Sequence, residues 1–368
     1  MTPARYIMVG GFLGAGKTTA ILRMAEALDS RGHRVGLITN DQSIGLVDTT
    51  MLAAHGFPVE EITGGCFCCR FNSLVDAAER LTADASPDVF IAEPVGSCTD
   101  LRASVSYPLR RMYGTAYTVA PLSVVVDPVR ALRALAVEPG RSFTAKVLYV
   151  YRKQLEEAGI IVINKVDAIE PARVATLREV LAREFPKARL LEVSARTGQG
   201  LDEWFEFLTR DEGTTDEDLD IDYATYGEGE ALLGWVNSTV ALAGADFDGN
   251  AVVRDVAARI AGALNADGIE IAHLKMTLAP AGSGSDLAVL NQVRNEHVAE
   301  LSHALDGDLS RGELIVNLRA EGDPARLAAV VDAATLDAAD AHSLVVTPVH
   351  TEHFRPGQPT PTYRLTPA

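Results

Sequence analysis

Cysteine is scarce in this chain, with four in 368 residues. A chain of this length buries a substantial core without disulfides, and the length suggests about two domains. No apolar run approaches the roughly 18 residues of a membrane span. The opening MTPARYIMVGGF has neither the apolar core nor the cleavage site of a signal peptide, because its short apolar run leads straight into glycines. The expectation is therefore a cytoplasmic protein with reduced thiols. Positive charge is in deficit: 33 Lys and Arg stand against 50 Asp and Glu, a formal net charge of −17. That balance argues against nucleic acid or an anionic membrane as a partner. No internal repeat is visible, and there is no histidine-rich run. The eight histidines are scattered, which speaks against bulk metal storage.

The few cysteines are concentrated. Cys66, Cys68 and Cys69 fall within CFCCR, behind Gly64 and Gly65, and the fourth is Cys98. Adjacent cysteines rarely pair, because the disulfide is strained. In a reducing compartment a tight thiol cluster points to metal binding or redox chemistry. The alternative is three buried cysteines acting as small hydrophobes. Two groups containing histidine, Glu296 with His297 and His303, and His350 with Glu352 and His353, read first as surface residues.

Near the start, YIMVGGFLGAGKTTAILRMAEAL runs strand, loop, helix. Residues 11–18 fit G-x-x-x-x-G-K-[ST]. Gly11, Gly14, Ala15 and Gly16 let backbone N–H groups approach phosphate, and the helix that follows adds its positive end. Lys17 reaches the β- and γ-phosphates, the Thr18 hydroxyl binds Mg²⁺, and Thr19 continues the same turn. The base is read further on. AGIIVINKVDAI is a buried strand ending in Asn164, Lys165, Val166 and Asp167. N-K-x-D is the guanine motif of GTPases: the Asp167 carboxylate accepts from both guanine N1–H and the 2-amino group. Adenine offers neither donor there, so the wrong base leaves a carboxylate unpaired. Asn164 and Lys165 brace the loop. Ser194 and Ala195, in LLEVSARTGQG, fall where a backbone N–H meets guanine O6. GTP is the stronger reading and ATP the runner-up.

Acidic residues at strand ends fill the phosphate side. Asp41 follows RVGLITN, Glu93 follows residues 89–92, and Asp127 follows PLSVVV. Such groups hold Mg²⁺ or orient the attacking water, or they cap the next helix. The helix cap is the better reading for Asp127, and metal and water for Asp41 and Glu93, with Lys17 completing the catalytic set.

GGFLGAGKTT, GGCFCC, the E-x-x-G that starts at Glu93, and QLEEAGIIVINKVD occur in that order. Together they resemble the CobW-type GTPases, SIMIBI-class relatives of the urease and hydrogenase maturation GTPases, over roughly residues 5–210. The resemblance implies a doubly wound P-loop domain that binds GTP or GDP with Mg²⁺ at Thr18, Asp41 and Glu93, and hydrolyses GTP slowly. It implies a transition metal, Zn²⁺ or Co²⁺, at Cys66, Cys68 and Cys69. It also implies a client metalloprotein or cofactor-assembly enzyme as partner, and it admits a GTP-dependent homodimer. Departures exist: the family's N-E-F-G reads NDQSIG here, and Cys98 is an extra thiol. In an extended segment Cys68 and Cys69 point apart, so one is expected outside the metal's ligand set, with Cys98 or Asp41 in its place. Rival readings are an assembly GTPase for a corrinoid-dependent enzyme and a P-loop kinase for a small molecule.

The expected organisation is a GTPase domain over 1–209, an acidic linker over 210–230, a smaller α+β domain over 231–350 and a proline-rich tail over 351–368. The second domain reads as β-α-β-β-β-α-β, close to a split βαβ sandwich.

Overall fold

Tyr6, Ile7, Met8 and Val9 are all buried, the pattern of a strand covered on both faces. They lie in β1 (Ala4–Gly10), at the centre of a sheet seen in a computed structural model. That structure describes residues 3–40, 52, 55–210, 219–282 and 286–366. Asp41, Gln42 and Ser43 lie outside the described residues.

The sheet contains β1, β2 (Val35–Asn40), β3 (Val59–Ile62), β4 (Val89–Glu93), β5 (Tyr117–Val119), β6 (Ser123–Val126), β7 (Ile160–Ile163) and β8 (Arg189–Glu192). Its order is β3-β2-β4-β1-β6-β7-β8, with β5 also against β1, and the described pairings are parallel. Helices α1 (Lys17–Ser30), α2 (Phe71–Ala85), α3 (Tyr107–Tyr113), α4 (Pro128–Ala134), α5 (Ala145–Glu156), α6 (Pro171–Glu184) and α7 (Leu201–Arg210) accompany it. A π-helical turn, Arg102–Ser106, runs directly into α3. Strand order reverses at β1, so the ligand crevice opens at the carboxyl ends of β1, β4 and β6. The core beneath joins Met24 and Leu28 of α1 to Trp204 and Phe205 of α7, and Trp204 Nε1 donates to Ser123 Oγ at 2.9 Å.

The chain divides into two compact units, Met1–Gly227 with Gln358–Ala368, and Glu228–Gly357. This differs from the expected boundaries at two places. The segment read as a linker carries helix α8 (Tyr223–Leu232), started by Asp222, whose carboxylate accepts from the N–H groups of Ala224 and Thr225 at 3.1 and 3.2 Å. The segment read as a tail begins instead as strand, because β9 (Leu233–Phe247) pairs with β14 (Val345–Phe354) as far as Trp235 and Phe354. From Gln358 the chain belongs to the first unit.

In the second unit, α9 (Gly249–Ala266), β10 (Ile271–Pro280), β11 (Ala288–Gln292), β12 (Glu300–His303), β13 (Leu309–Glu321) and α10 (Pro324–Ala341) lie between β9 and β14. The sheet order is β12-β11-β10-β13-β9-β14, with antiparallel pairings. Alternate residues of β9 (Val236, Val240, Leu242) and β13 (Leu314, Val316, Leu318) meet α9 and α10 in one core. Asp248 and Asp323 cap these helices by accepting from Ala251 N and Ala325 N. One more strand is present than expected. The run from Asp286 folds back on itself because Asn295 is tied by its side chain to Ile269 O and Ile271 N, which makes β11 and β12 a hairpin.

Candidate nucleotide and metal site

Two glycines of the loop after β1 are fixed by space. Gly11 and Gly16 have φ of +126° and +92°, and a Cβ on them would lie 2.2 Å from Val125 O and 2.5 Å from Asn164 Nδ2. No side chain caps α1 behind Gly16, which leaves backbone donors of its first turn for a phosphate. Lys17 and Thr18 are both buried at this end. Thr18 Oγ1 lies 3.2 Å and Lys17 Nζ 3.7 Å from Glu93 Oε1, at the end of β4. A hydroxyl and a carboxylate this close are hard oxygen donors, which suits Mg²⁺. Gly96, last of the E-x-x-G, packs on the same loop: a Cβ there would meet Leu13 Cδ2 at 2.8 Å and Leu13 N at 3.0 Å.

The N-K-x-D segment is wired to this loop. Asn164 Nδ2 donates to Ala15 O at 2.9 Å, and its Oδ1 accepts from Ala195 N at 2.9 Å. Lys165, held at φ +58°, donates from Nζ to Gly14 O at 2.7 Å and to Asp127 Oδ2 at 3.0 Å. Asp127 also caps α4, accepting from Arg130 N at 2.9 Å. Asp167 is exposed in a 3-10 turn, Val166–Ala168, its carboxylate open to a ligand. The backbone donors expected against guanine O6 are turned inward: Ser194 N goes to Gln199 O and Ala195 N to Asn164 Oδ1. In this structure both N–H groups brace the base loop.

The cysteines occupy the loop between β3 and α2. Cys66 O accepts from both Cys69 N and Arg70 N, at 3.0 and 2.9 Å, so the segment is a tight turn. This corrects the expectation of an extended segment with divergent side chains: all three sulfurs converge. Cys66 Sγ is 2.9 Å from Cys68 Sγ and 3.2 Å from Cys69 Sγ, and Cys68 and Cys69 are 3.7 Å apart. With zinc–sulfur bonds near 2.3 Å, tetrahedral ligation sets sulfurs about 3.8 Å apart. The triad is at or inside that spacing, and among the described residues it is the one set of three or more Cys, His, Asp or Glu side chains whose ligand atoms converge closely enough to share a metal. Thiols of Cys68, Cys69 and Cys98 hydrogen-bond Cys66 and hold it well below the usual thiol range. The bond to Cys66 leads the causes that push Cys69 up to about 11, and Cys68 up as well. Cys66, Cys68 and Cys98 are buried, and Cys69 is partly exposed. Asn40, ending β2, holds the turn's entrance by donating to Ile62 O and Gly65 O at 2.9 and 2.7 Å.

Sequence reasoning missed the groups that hold the loop between Glu93 and Cys98. Gln154 of α5 donates to Gly96 O at 3.0 Å and to Cys98 O at 2.8 Å. Glu157, one helical turn on, accepts from Thr99 Oγ1 at 3.0 Å and Arg102 N at 3.1 Å. Burial, and then the Asp100 carboxylate, push Glu157 up to about 8. The available signal was spacing: two polar groups three apart on one helix face.

Residues 5–192, just over half the chain, match the nucleotide-binding domain of the CobW/HypB/UreG family. The chain is 29% identical over 215 residues to a zinc chaperone CobW of a Sinorhizobium species, covering 52% of this chain and 59% of the relative. It is 29% identical over 165 residues to the zinc chaperone YeiR of Escherichia coli K12, covering 45% and 47%. Hydrogenase maturation factor HypB of Azotobacter vinelandii is 27% identical over 207 residues, covering 55% and 58%. The match spans about half the length of these relatives. Among solved structures, zinc-bound YjiA GTPase of Escherichia coli aligns over 90% of this chain and 99% of its own, at 17% identity and a TM-score of 0.40. HypB of Archaeoglobus fulgidus aligns over 56% and 89%, at 21% identity and a TM-score of 0.41. The chain belongs to the CobW/HypB/UreG family.

Proposed function

We propose that this protein is a GTP-hydrolysing metallochaperone that binds a transition metal at Cys66, Cys68 and Cys69 and couples its transfer to the nucleotide. One observation carries the reading: three sulfurs within 2.9–3.7 Å of one another, with Cys98 hydrogen-bonded to Cys66. Cys98 closely follows Glu93, which bonds the P-loop.

Asp167 accepts from guanine N1–H and the 2-amino group, while Asn164 keeps the base loop fixed on Ala15. Lys17 places its charge on the β- and γ-phosphates. Thr18 and Glu93, with Asp41, hold Mg²⁺ and set the attacking water, and the ion neutralises charge developing on the phosphates. Zn²⁺ or Co²⁺ suits the sulfur ligands, with Cys98 the nearest fourth thiol. Thiolates crowded together repel, so the metal's charge favours their ionisation. Insertion or loss of the γ-phosphate at Glu93 then shifts the segment that leads to Cys98 and changes metal affinity. The recipient is a client metalloprotein or a cofactor-assembly enzyme.

Two measurements test this. Metal analysis of protein purified with and without GTP should give sub-stoichiometric to stoichiometric zinc or cobalt whose amount depends on nucleotide. Product analysis should give GDP and inorganic phosphate alone. A phosphorylated small-molecule acceptor would replace this reading with a kinase.

A further inference from the structure

The end of the chain returns to the cysteine turn. From Gln358 the sequence runs QPTPTYRL, with prolines at 359 and 361 and threonines at 360 and 362. Proline fixes φ near −65° and has no N–H, so residues 359–362 are extended and offer only the two threonine N–H donors of their backbone. Both donors go to the cysteines' turn. Thr360 N–H donates to Cys69 Sγ at 3.2 Å, and Thr362 N–H to Cys68 O at 2.8 Å. Thr362 Oγ1 adds a bond to Cys69 O at 3.1 Å. Tyr363 stands edge-on to Phe71, the first residue of α2, with ring centroids 5.3 Å apart.

The same eight residues also grip the loop that bears Cys98. Arg364 Nε donates to Asp100 Oδ2 at 2.8 Å, and Leu365 N–H to Ala103 O at 2.9 Å. Asp100 is fully buried, sits at φ +61°, and also accepts from Tyr223 Oη at 2.5 Å. Removing the cation from a buried carboxylate is costly, so the Arg364 contact is a strong anchor. At the other end, Gln358 Nε2 donates to Tyr223 O at 2.6 Å. The tail thus ties together the two loops that carry all four cysteines.

We propose that residues 358–365 are a strap that retains metal in the cysteine turn, with Thr360 N–H as a positioning donor to the Cys69 thiolate and Arg364–Asp100 as the latch. The proposal rests on the metal-binding reading above. An N–H bonded to a ligating sulfur withdraws charge from it and fixes its direction. Groups that hydrogen-bond a metal's ligands change affinity by about 10–100-fold when removed. Cys69 is also the least buried member of the triad, and so the sulfur from which an incoming ligand displaces the ion first. With the strap down, Thr360 lies against that sulfur and narrows the approach to it. The latch residue Asp100 lies two positions beyond Cys98, on the segment that begins at Glu93, so nucleotide-driven movement there reaches the strap.

Cobalt titration of the full chain tests this, read by thiolate-to-cobalt absorption in competition with a chelator. Thr360→Pro deletes the N–H yet keeps an extended backbone, and Thr360→Ala keeps the N–H. Thr360→Pro should weaken cobalt binding about 10–100-fold. It should also move the charge-transfer band to longer wavelength, because a thiolate without its donor gives up charge more readily. Thr360→Ala should match wild type in both. Arg364→Ala should release cobalt about tenfold faster, with Arg364→Lys between it and wild type. All four should bind GTP alike. If Thr360→Pro matches Thr360→Ala in affinity and band position, or Arg364→Ala releases cobalt at the wild-type rate, the strap is wrong while the metal site stands. A wild-type protein with no thiolate–cobalt band removes the metal reading and the strap with it.

Discussion

Thr18 Oγ1 donates to Glu93 Oε1 at 3.2 Å. This bond joins the first turn of α1 to the end of β4, and the chain beyond Glu93 passes Gly96, wedged on Leu13, before it reaches Cys98. On the proposed reading, a γ-phosphate with its Mg²⁺ would compete for the same Thr18 and Glu93 oxygens. One short segment therefore connects the phosphate position to the thiols.

Hydrolysis should depend on this contact more than binding does. Lys17→Ala should reduce turnover by about 10²–10³ or more, through loss of a cation that stabilises the transferring phosphoryl group. Glu93→Gln should lower turnover steeply and leave the GTP dissociation constant within a few-fold of wild type. Phosphate release and equilibrium nucleotide binding, measured together, check both. Wild-type turnover in Glu93→Gln would remove Glu93 from the Mg²⁺ and water roles.

Base choice should follow Asp167. Asp167→Asn exchanges an ionised acceptor for an amide, a loss of about 2 kcal/mol and so roughly thirtyfold in GTP affinity. Xanthine keeps N1–H but replaces the 2-amino donor with a carbonyl acceptor, which the Asn amide can donate to, so XTP should gain where GTP loses. Competition among GTP, ATP and XTP reads this out, and an unchanged order would place Asp167 outside the base site.

Stability should carry the signature of Glu157. Its carboxyl is pushed up to about 8 by burial and then by Asp100, against 4.5 in the unfolded chain. The folded state therefore holds a proton that the unfolded state has lost, and stability falls as pH rises from about 4.5 through about 8. Glu157→Gln keeps the shape, an acceptor for Arg102 N and a donor for the Thr99 hydroxyl, and it does not ionise. Between pH 6 and 9 the wild-type melting temperature should drop by about 3 °C or more beyond that of Glu157→Gln. Parallel curves would mean that Glu157 is ionised in the fold throughout.

Much of the nucleotide site was legible because its constraints are local. Gly11 and Gly16 are dictated by backbone approach within a few residues, and N-K-x-D sits at the end of a strand that is apolar throughout. Asp127 was readable as a cap for the same reason. The cysteine turn was only half legible: the cluster was plain, but its convergence depends on Cys66 O accepting two N–H groups, a choice that the residue types do not reveal. The strap was hidden because Thr360 and Cys69 are 291 positions apart. Nothing in a proline- and threonine-rich run names its distant acceptor. The extra hairpin of the second unit turned on Asn295 reaching Ile269 and Ile271, another contact between segments.

The central claim is that Cys66, Cys68 and Cys69 bind a transition metal under control of the nucleotide. Cobalt titration of wild type and of Cys66→Ser/Cys68→Ser/Cys69→Ser, each with GTP or GDP and followed by thiolate-to-cobalt absorption near the ultraviolet, tests it most directly. The account predicts a thiolate–cobalt band in wild type, its loss in the triple variant, and a wild-type affinity that differs between the two nucleotides. A triple variant that binds cobalt as tightly as wild type, with either nucleotide, would contradict it and leave a nucleotide-binding protein without this metal site.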